Sequence, residues 1–103
     1  MADAYFGRGY CYSKQGDLDN AIADYTQTVE LNPRYAMAYN NRGVCYERKG
    51  DDGQALANYA KAIEVNPKET LYYNNRGKTY RRLGHEAEAE ADFARARELE
   101  PKQ

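Results

Sequence analysis

Tryptophan is absent, histidine occurs once (His85), and only two cysteines and three prolines stand among 103 residues. Two cysteines and a lone histidine make no His/Cys cluster for a structural zinc, which takes about four ligands. They make no disulfide framework either. With one histidine, no Ser/His/Asp or Cys/His set can be assembled, so an enzyme is not expected. No apolar run approaches the roughly 18–20 residues that span a bilayer, and no membrane partner is expected. Met1-Ala2-Asp3-Ala4 lacks the basic-then-apolar pattern of a secretory signal. Neither sign of charge prevails: 15 basic side chains stand against 16 acidic ones, a net charge of −1. A duplex-binding module carries a basic excess, so nucleic acid is not an expected partner. Neither a metal nor any other cofactor is expected.

What the chain does have is order. Pro33, Pro67 and Pro101 follow one another at intervals of 34 residues. Cut at 2–35, 36–69 and 70–103, the chain aligns with itself without insertion. Tyr5/Tyr39/Tyr73, Arg8/Arg42/Arg76, Gly9/Gly43/Gly77, Tyr12/Tyr46/Tyr80, Gly16/Gly50/Gly84 and Ala21/Ala55/Ala89 are among the invariant rows. Tyr25, Tyr59 and Phe93 form a near-identical one. Fixed-period self-similarity of this kind marks a stacked array.

Each copy reads as helix, tight turn, helix, turn. The first helices, A, are predicted over 2–15, 36–49 and 70–83; the second helices, B, over 18–31, 52–65 and 86–99. Gly16 and Gly50 suit the left-handed position after a helix, and Asp17 and Asp51 are natural N-caps for helix B. His85 takes that place in the third copy and should cap less well. The prolines stop each B helix. Gly9 and Ala21 are expected on facing helices, with Tyr5, Tyr12 and Tyr25 filling the space around the contact. Stacking then buries the face that a lone hairpin leaves wet.

The pattern resembles the tetratricopeptide repeat, an aromatic, two residues, Leu-Gly, two residues, Tyr, then Ala, Phe/Tyr and Pro. Here it stands as Tyr39-x-x-Arg42-Gly43-x-x-Tyr46, then Ala55, Tyr59, Ala62 and Pro67, and likewise in the flanking copies. The resemblance implies an all-α fold, an α-solenoid of three helix-turn-helix hairpins in a short right-handed superhelix, with 1–103 as one domain. One departure is systematic: Arg8, Arg42 and Arg76 replace the usual Leu. Each is expected to reach across to helix B, toward Asp24, Asn58 and Asp92. Ile22/Val29 and Leu56/Ile63 are the outward apolar pairs that a following repeat covers. In the third copy they become Glu90 and Arg97, seven residues apart on one face, so this repeat reads as a polar C-terminal cap.

The resemblance also implies that the A helices line a concave groove that takes an extended peptide. By repeat position, the candidate ligand-binding residues are Phe6, Tyr10, Met37, Asn40, Asn41, Val44, Arg48, Asn74, Asn75, Lys78, Arg81 and Arg82; Ser13, Lys14 and Glu47 share that face. Asn41 and Asn75 match the asparagine ladder of O-linked N-acetylglucosamine transferases. A primary amide offers donor and acceptor together, as one peptide unit requires. Asn40 and Asn74 are equally compatible with solvation or bonding between repeats, and Phe6, Tyr10 and Met37 with simple packing. Arg76, Lys78, Arg81 and Arg82 make the third A helix basic, which suits a ligand with acidic residues or an ordinary solvated surface. Co-chaperones of the family hold chaperone C-terminal tails with Lys and Asn, then Asn, then Lys and Arg. The matching positions here are Phe6, Tyr10, Asn41, Leu71 and Asn75, so a chaperone tail is not the expected ligand.

Cys11 and Cys45 hold the same repeat position, Thr79 the third. Stacking sets them about one repeat apart, beyond the roughly 7 Å Cα limit for a disulfide. Both are read as small reduced core side chains, which suits a cytoplasmic setting. The expected function is non-enzymatic binding of a protein or peptide segment. The alternative is a scaffold that stacks or self-associates end to end, because the N-terminal face has no polar pair like Glu90/Arg97. RNA stacking by helical repeats does not suit the charge.

Overall fold

Three glycines reverse the chain within each repeat. Gly16, Gly50 and Gly84 take φ of 82°, 91° and 85°, the left-handed region open to a residue without Cβ. The computed structural model describes residues 1–100. In it these turns join α1 (Ala2–Lys14) to α2 (Leu18–Leu31), α3 (Ala36–Arg48) to α4 (Asp52–Val65), and α5 (Thr70–Arg82) to α6 (Glu86–Leu99). The A helices end one residue before the predicted limits. Gln15, Lys49 and Leu83 are their C-caps, each with its N–H bonded back into the last turn. Asp17 accepts from the Asn20 N–H at 3.4 Å and Asp51 from the Gln54 N–H at 3.1 Å. His85 makes no capping bond, as expected of an imidazole in place of a short carboxylate. Pro101 lies outside the described residues.

The two helices of a hairpin touch through glycine, though not against the predicted partner. A Cβ on Gly43 would sit 2.9 Å from Tyr59 Cε1 and 3.1 Å from Asn58 Cβ; Gly9 meets Tyr25 and Gly77 meets Phe93 in the same way. Glycine therefore makes room for the helix B ring rather than for Ala21. Adding one methyl at the centre of the array, Gly43→Ala, is expected to cost about 1–3 kcal/mol through overpacking, read as a lower urea midpoint with an unchanged slope.

The arginines reach helix B as predicted. Arg8 grips Asp24 with two bonds of 2.8 Å, and Arg76 grips Asp92 at 2.9 and 2.7 Å. Arg42 donates to Asn58 Oδ1 at 2.7 Å and to Thr26 Oγ1 of the preceding repeat at 3.1 Å. Paired guanidinium and carboxylate satisfy polar groups that would otherwise be costly to bury.

Neighbouring repeats lie α2 against α3 and α4 against α5. Ala38, Cys45, Tyr72 and Thr79 are sealed at these joints. Cys11 is exposed while Cys45 is buried, which corrects the reading of both as core. The reason is position: α2 lies against α3, and among the described residues no helix of another repeat lies against α1 in that way. Charged latches cross the outer turns, Lys49 with Asp19, and Arg82 with Asp52 at 2.8 Å. Hydrogen bonds from Arg82 hold the Asp52 carboxyl below the usual carboxylate range.

Candidate functional site

The A helices stand side by side, and their exposed edges bound two cavities of about 390 and 460 Å³. The first is lined by Tyr10, Ser13, Lys14, Tyr25, Asn41, Val44 and Arg48. The second is lined by Val44, Glu47, Arg48, Tyr59, Asn75, Lys78 and Arg82. Val44 and Arg48 belong to both, so the cavities are consecutive chambers of one groove. Seven of the twelve predicted positions therefore come together: Tyr10, Asn41, Val44, Arg48, Asn75, Lys78 and Arg82. Helical spacing is the cause, since residues three and four apart share a face.

The other five do not open into these chambers. Asn40 is 2% exposed; its carbonyl accepts from Asn75 Nδ2 at 2.9 Å and its Nδ2 donates to Asn41 Oδ1 at 3.1 Å. Phe6 stacks on Tyr35 with ring centroids 4.9 Å apart and tilts against Tyr25 at 5.7 Å. Met37 packs against the same core. These three sit where the next A helix arrives, so they are joints between repeats. Asn74 and Arg81 line a separate hollow with Glu90, Phe93 and Arg97. Arg81 is bonded there to Glu86 and Glu90 at 3.3 and 2.6 Å, on the side of α5 that faces α6.

Sequence reasoning missed Tyr25 and Tyr59, which floor the groove from the B helices. Their row was read as packing, which the rings do perform: both are almost wholly buried. The overlooked signal was the hydroxyl, present in Tyr25 and Tyr59 and missing from Phe93.

Charge in the groove is uneven. Glu47 accepts from the Tyr59 hydroxyl at 2.8 Å, Thr79 Oγ1 at 3.0 Å and Arg82 at 2.8 Å. Arg82 is thus neutralised by Glu47 and Asp52. Arg48 donates only to the uncharged Ser13 oxygens, at 3.0 and 3.3 Å. Lys14 lies over the Tyr10 ring, 5.2 Å from its centroid. Among the described residues, no carboxylate pairs with Lys14, Arg48 or Lys78. The predicted basic third helix is mostly compensated; the uncompensated cations are spread over all three A helices.

Burial pushes the Tyr25 hydroxyl up to about 12, the Asn41 amide pulling weakly the other way. Burial, then the hydrogen bond to Glu47, drives Tyr59 higher still. A phenol whose folded pKa is raised stabilises the fold fully below its unfolded pKa, near 10, and loses that contribution as pH climbs through the folded value. Melting temperature is therefore expected to stay level up to about pH 10 and fall above it, with Tyr25 alone worth about 2–3 kcal/mol. Phenolate absorbance should show the buried tyrosines ionising only as the helices unfold.

Among the described residues no group of three or more His, Cys, Asp or Glu is placed to hold a metal. Among the described residues no helix is long and apolar enough to cross a membrane.

Known proteins share this fold. The family model described as "Tetratricopeptide repeat" matches residues 2–35, 36–69 and 70–103. No curated protein sequence matches the chain. Among solved structures, the crystal structure of MamA superposes with a TM-score of 0.93 at 29% identity, over 96% of this chain and 58% of that one. The chain thus spans little more than half of MamA. The first TPR of Spaghetti (RPAP3), bound to HSP90 peptide SRMEEVD, superposes at 0.92 with 31% identity, over 99% of this chain and 81% of that one. The Arabidopsis OM64 TPR domain gives 0.92 and 28%, over 99% and 84%. Three in-phase repeats, their glycine-mediated hairpins and the matches across residues 2–103 make this chain a member of the tetratricopeptide repeat family, an all-helical solenoid of the kind that serves protein interaction.

Proposed function

We propose that the chain is a non-enzymatic module that holds an extended peptide with acidic residues in the groove between its A helices. The observation that carries this is the pair of contiguous chambers sharing Val44 and Arg48, edged by Lys14, Arg48 and Lys78 without carboxylate partners among the described residues. Asn41 and Asn75 supply main-chain contacts, each worth about 0.5–1.5 kcal/mol net, and Tyr10 and Val44 supply apolar surface. Such small gains need charge to reach a useful affinity. A relative binds an HSP90 peptide, which favours a peptide ligand as a class. The chaperone tail itself is not the proposed ligand: Phe6, Tyr10, Leu71 and Asn75 occupy clamp positions without a cation. A reducing, cytoplasmic setting suits the buried Cys45 thiol, whose pKa burial raises.

Selection from a random dodecapeptide display library tests this reading. Expected is enrichment of acidic sequences, lost on Asn41→Ala/Asn75→Ala; no enrichment by a folded monomer would overturn it.

A second reading, association through the N-terminal end, rests on the exposed Cys11 and on a hollow of about 340 Å³ lined by Met1, Ala4, Tyr5 and Arg8. At the other end Glu90 and Arg97 are exposed and fit the proposed polar cap. Concentration-dependent sedimentation without peptide enrichment would favour this reading.

A further inference from the structure

Ala4, Arg8 and Cys11 stand four and three residues apart, on one side of α1, and all three are exposed. One repeat later the same row is Ala38, Arg42 and Cys45, and there α2 lies against α3. Ala38 and Cys45 are buried in a cluster with Tyr25 and Val29, against which Ile22 packs. Arg42 Nη1 donates across this joint to Thr26 Oγ1 at 3.1 Å, and Lys49, just past α3, holds Asp19 at the start of α2. The covering helix thus runs antiparallel, its Ile22, Thr26 and Val29 falling in order along Cys45, Arg42 and Ala38.

The row on α1 keeps the same fittings unused. Arg8 spends Nε and Nη2 on Asp24, and its Nη1, the atom with which Arg42 crosses the joint, has no partner among the described residues. Its side chain is 61% exposed, against 22% for Arg76. Tyr5 and Tyr12 flank the guanidinium, their ring centroids 5.7 and 6.0 Å from its Cζ. Beside it opens the hollow of about 340 Å³ lined by Met1, Ala4, Tyr5 and Arg8, at the end of the row that Val29 covers one repeat later.

We infer that this row docks an amphipathic helix of another protein, antiparallel to α1, with bulky aliphatic residues at i and i+7 and a hydroxyl at i+4. The inference rests on the second reading, association through the N-terminal end, and names its partner from the joint between α2 and α3. A second copy does not fit. Its α6 presents Glu90, Ala94 and Arg97 where α2 presents Ile22, Thr26 and Val29, and Glu90 is already held by Arg81 at 2.6 Å. Arg82 meets Glu47 at 2.8 Å across the last joint; end-to-end stacking sets Lys14 against Arg81 instead, a like-charge pair. A two-fold pairing of α1 with α1 centred on this row brings the two Arg8 side chains together.

The test builds the matching helix onto a second molecule of the full chain. In this donor, Arg81→Glu, Glu90→Leu, Ala94→Thr and Arg97→Ile copy Glu47, Leu56, Thr26 and Ile63, while Ala4→Glu and Cys11→Glu block its own α1. Ala94 is half-buried and the other five positions are exposed. Sedimentation should show donor and wild type each monomeric alone and a 1:1 complex on mixing. Amide shifts of 15N-labelled wild type should then change along α1. Cys11→Glu in the acceptor should weaken the complex at least about a hundredfold, because it buries a carboxylate without a partner. If circular dichroism shows that this donor does not fold, Glu90→Leu/Arg97→Ile with the same two blocking changes takes its place. A complex whose shifts lie away from α1 would overturn the inference. Wild type that pairs with itself through α1 would also overturn it, leaving N-terminal association standing. A monomeric wild type that ignores a folded donor overturns both.

Discussion

Tyr59→Ala is expected to remove about 3–5 kcal/mol, the usual cost of truncating a buried aromatic. A domain of this size has about 5–15 kcal/mol in all, so the loss takes a large share of the total. The effect is large because Tyr59 is fully buried in the middle repeat. Its ring fills the space that Gly43 leaves open, and its hydroxyl donates to Glu47 at 2.8 Å. Glu47 in turn accepts from Thr79 and Arg82 of the third repeat, so the cavity would open at the joint between two repeats. Tyr59→Phe separates the contributions. Glu47 keeps its other donors, and the loss should be about 1 kcal/mol, consistent with Phe93 serving at the same position one repeat later. Urea denaturation of the pair measures both. Equal midpoints for the two variants would contradict the assignment of the cost to the ring.

Arg48→Glu/Lys78→Glu should abolish measurable binding of an acidic peptide while leaving the fold intact. Each reversal is expected to weaken affinity at least about tenfold, or about 1.4 kcal/mol. Neither side chain has a carboxylate partner to lose among the described residues, and both are exposed, so stability should hold. Wild-type affinity should fall with added salt, since exposed charges are screened over about 8–10 Å at physiological ionic strength. Arg81→Gln is the matched control. Arg81 spends its guanidinium on Glu86 and Glu90 outside the chambers, and binding should not change. Titration calorimetry at two salt concentrations reads all three. An effect from Arg81 as large as from Arg48 and Lys78 would place the ligand on the wrong face.

The repeat period, the six helices, the left-handed glycines and the arginine pairs to Asp24, Asn58 and Asp92 were all legible in the residues. Every one depends on contacts made inside one 34-residue unit, where spacing along the chain sets spacing in the hairpin. The resemblance put the candidates on the A helices, and seven of the twelve line the two cavities. What could not be read was the difference between equivalent residues. Asn40 and Asn74 are the same letter at the same position, yet Asn40 is sealed against α5 and Asn74 stays half-buried beside α6. Cys45 is buried and Cys11 is not, because α2 of the preceding repeat lies over one and, among the described residues, no preceding helix lies over the other. Arg48 faces the groove with only neutral partners, while Arg82 one repeat later is held by Glu47 and Asp52. The residues alone dictate the hairpin and its stacking period, because those follow from short-range packing repeated three times. Which amides, thiols and cations remain available emerges in the folded array, because availability at each position depends on the neighbour that lies against it.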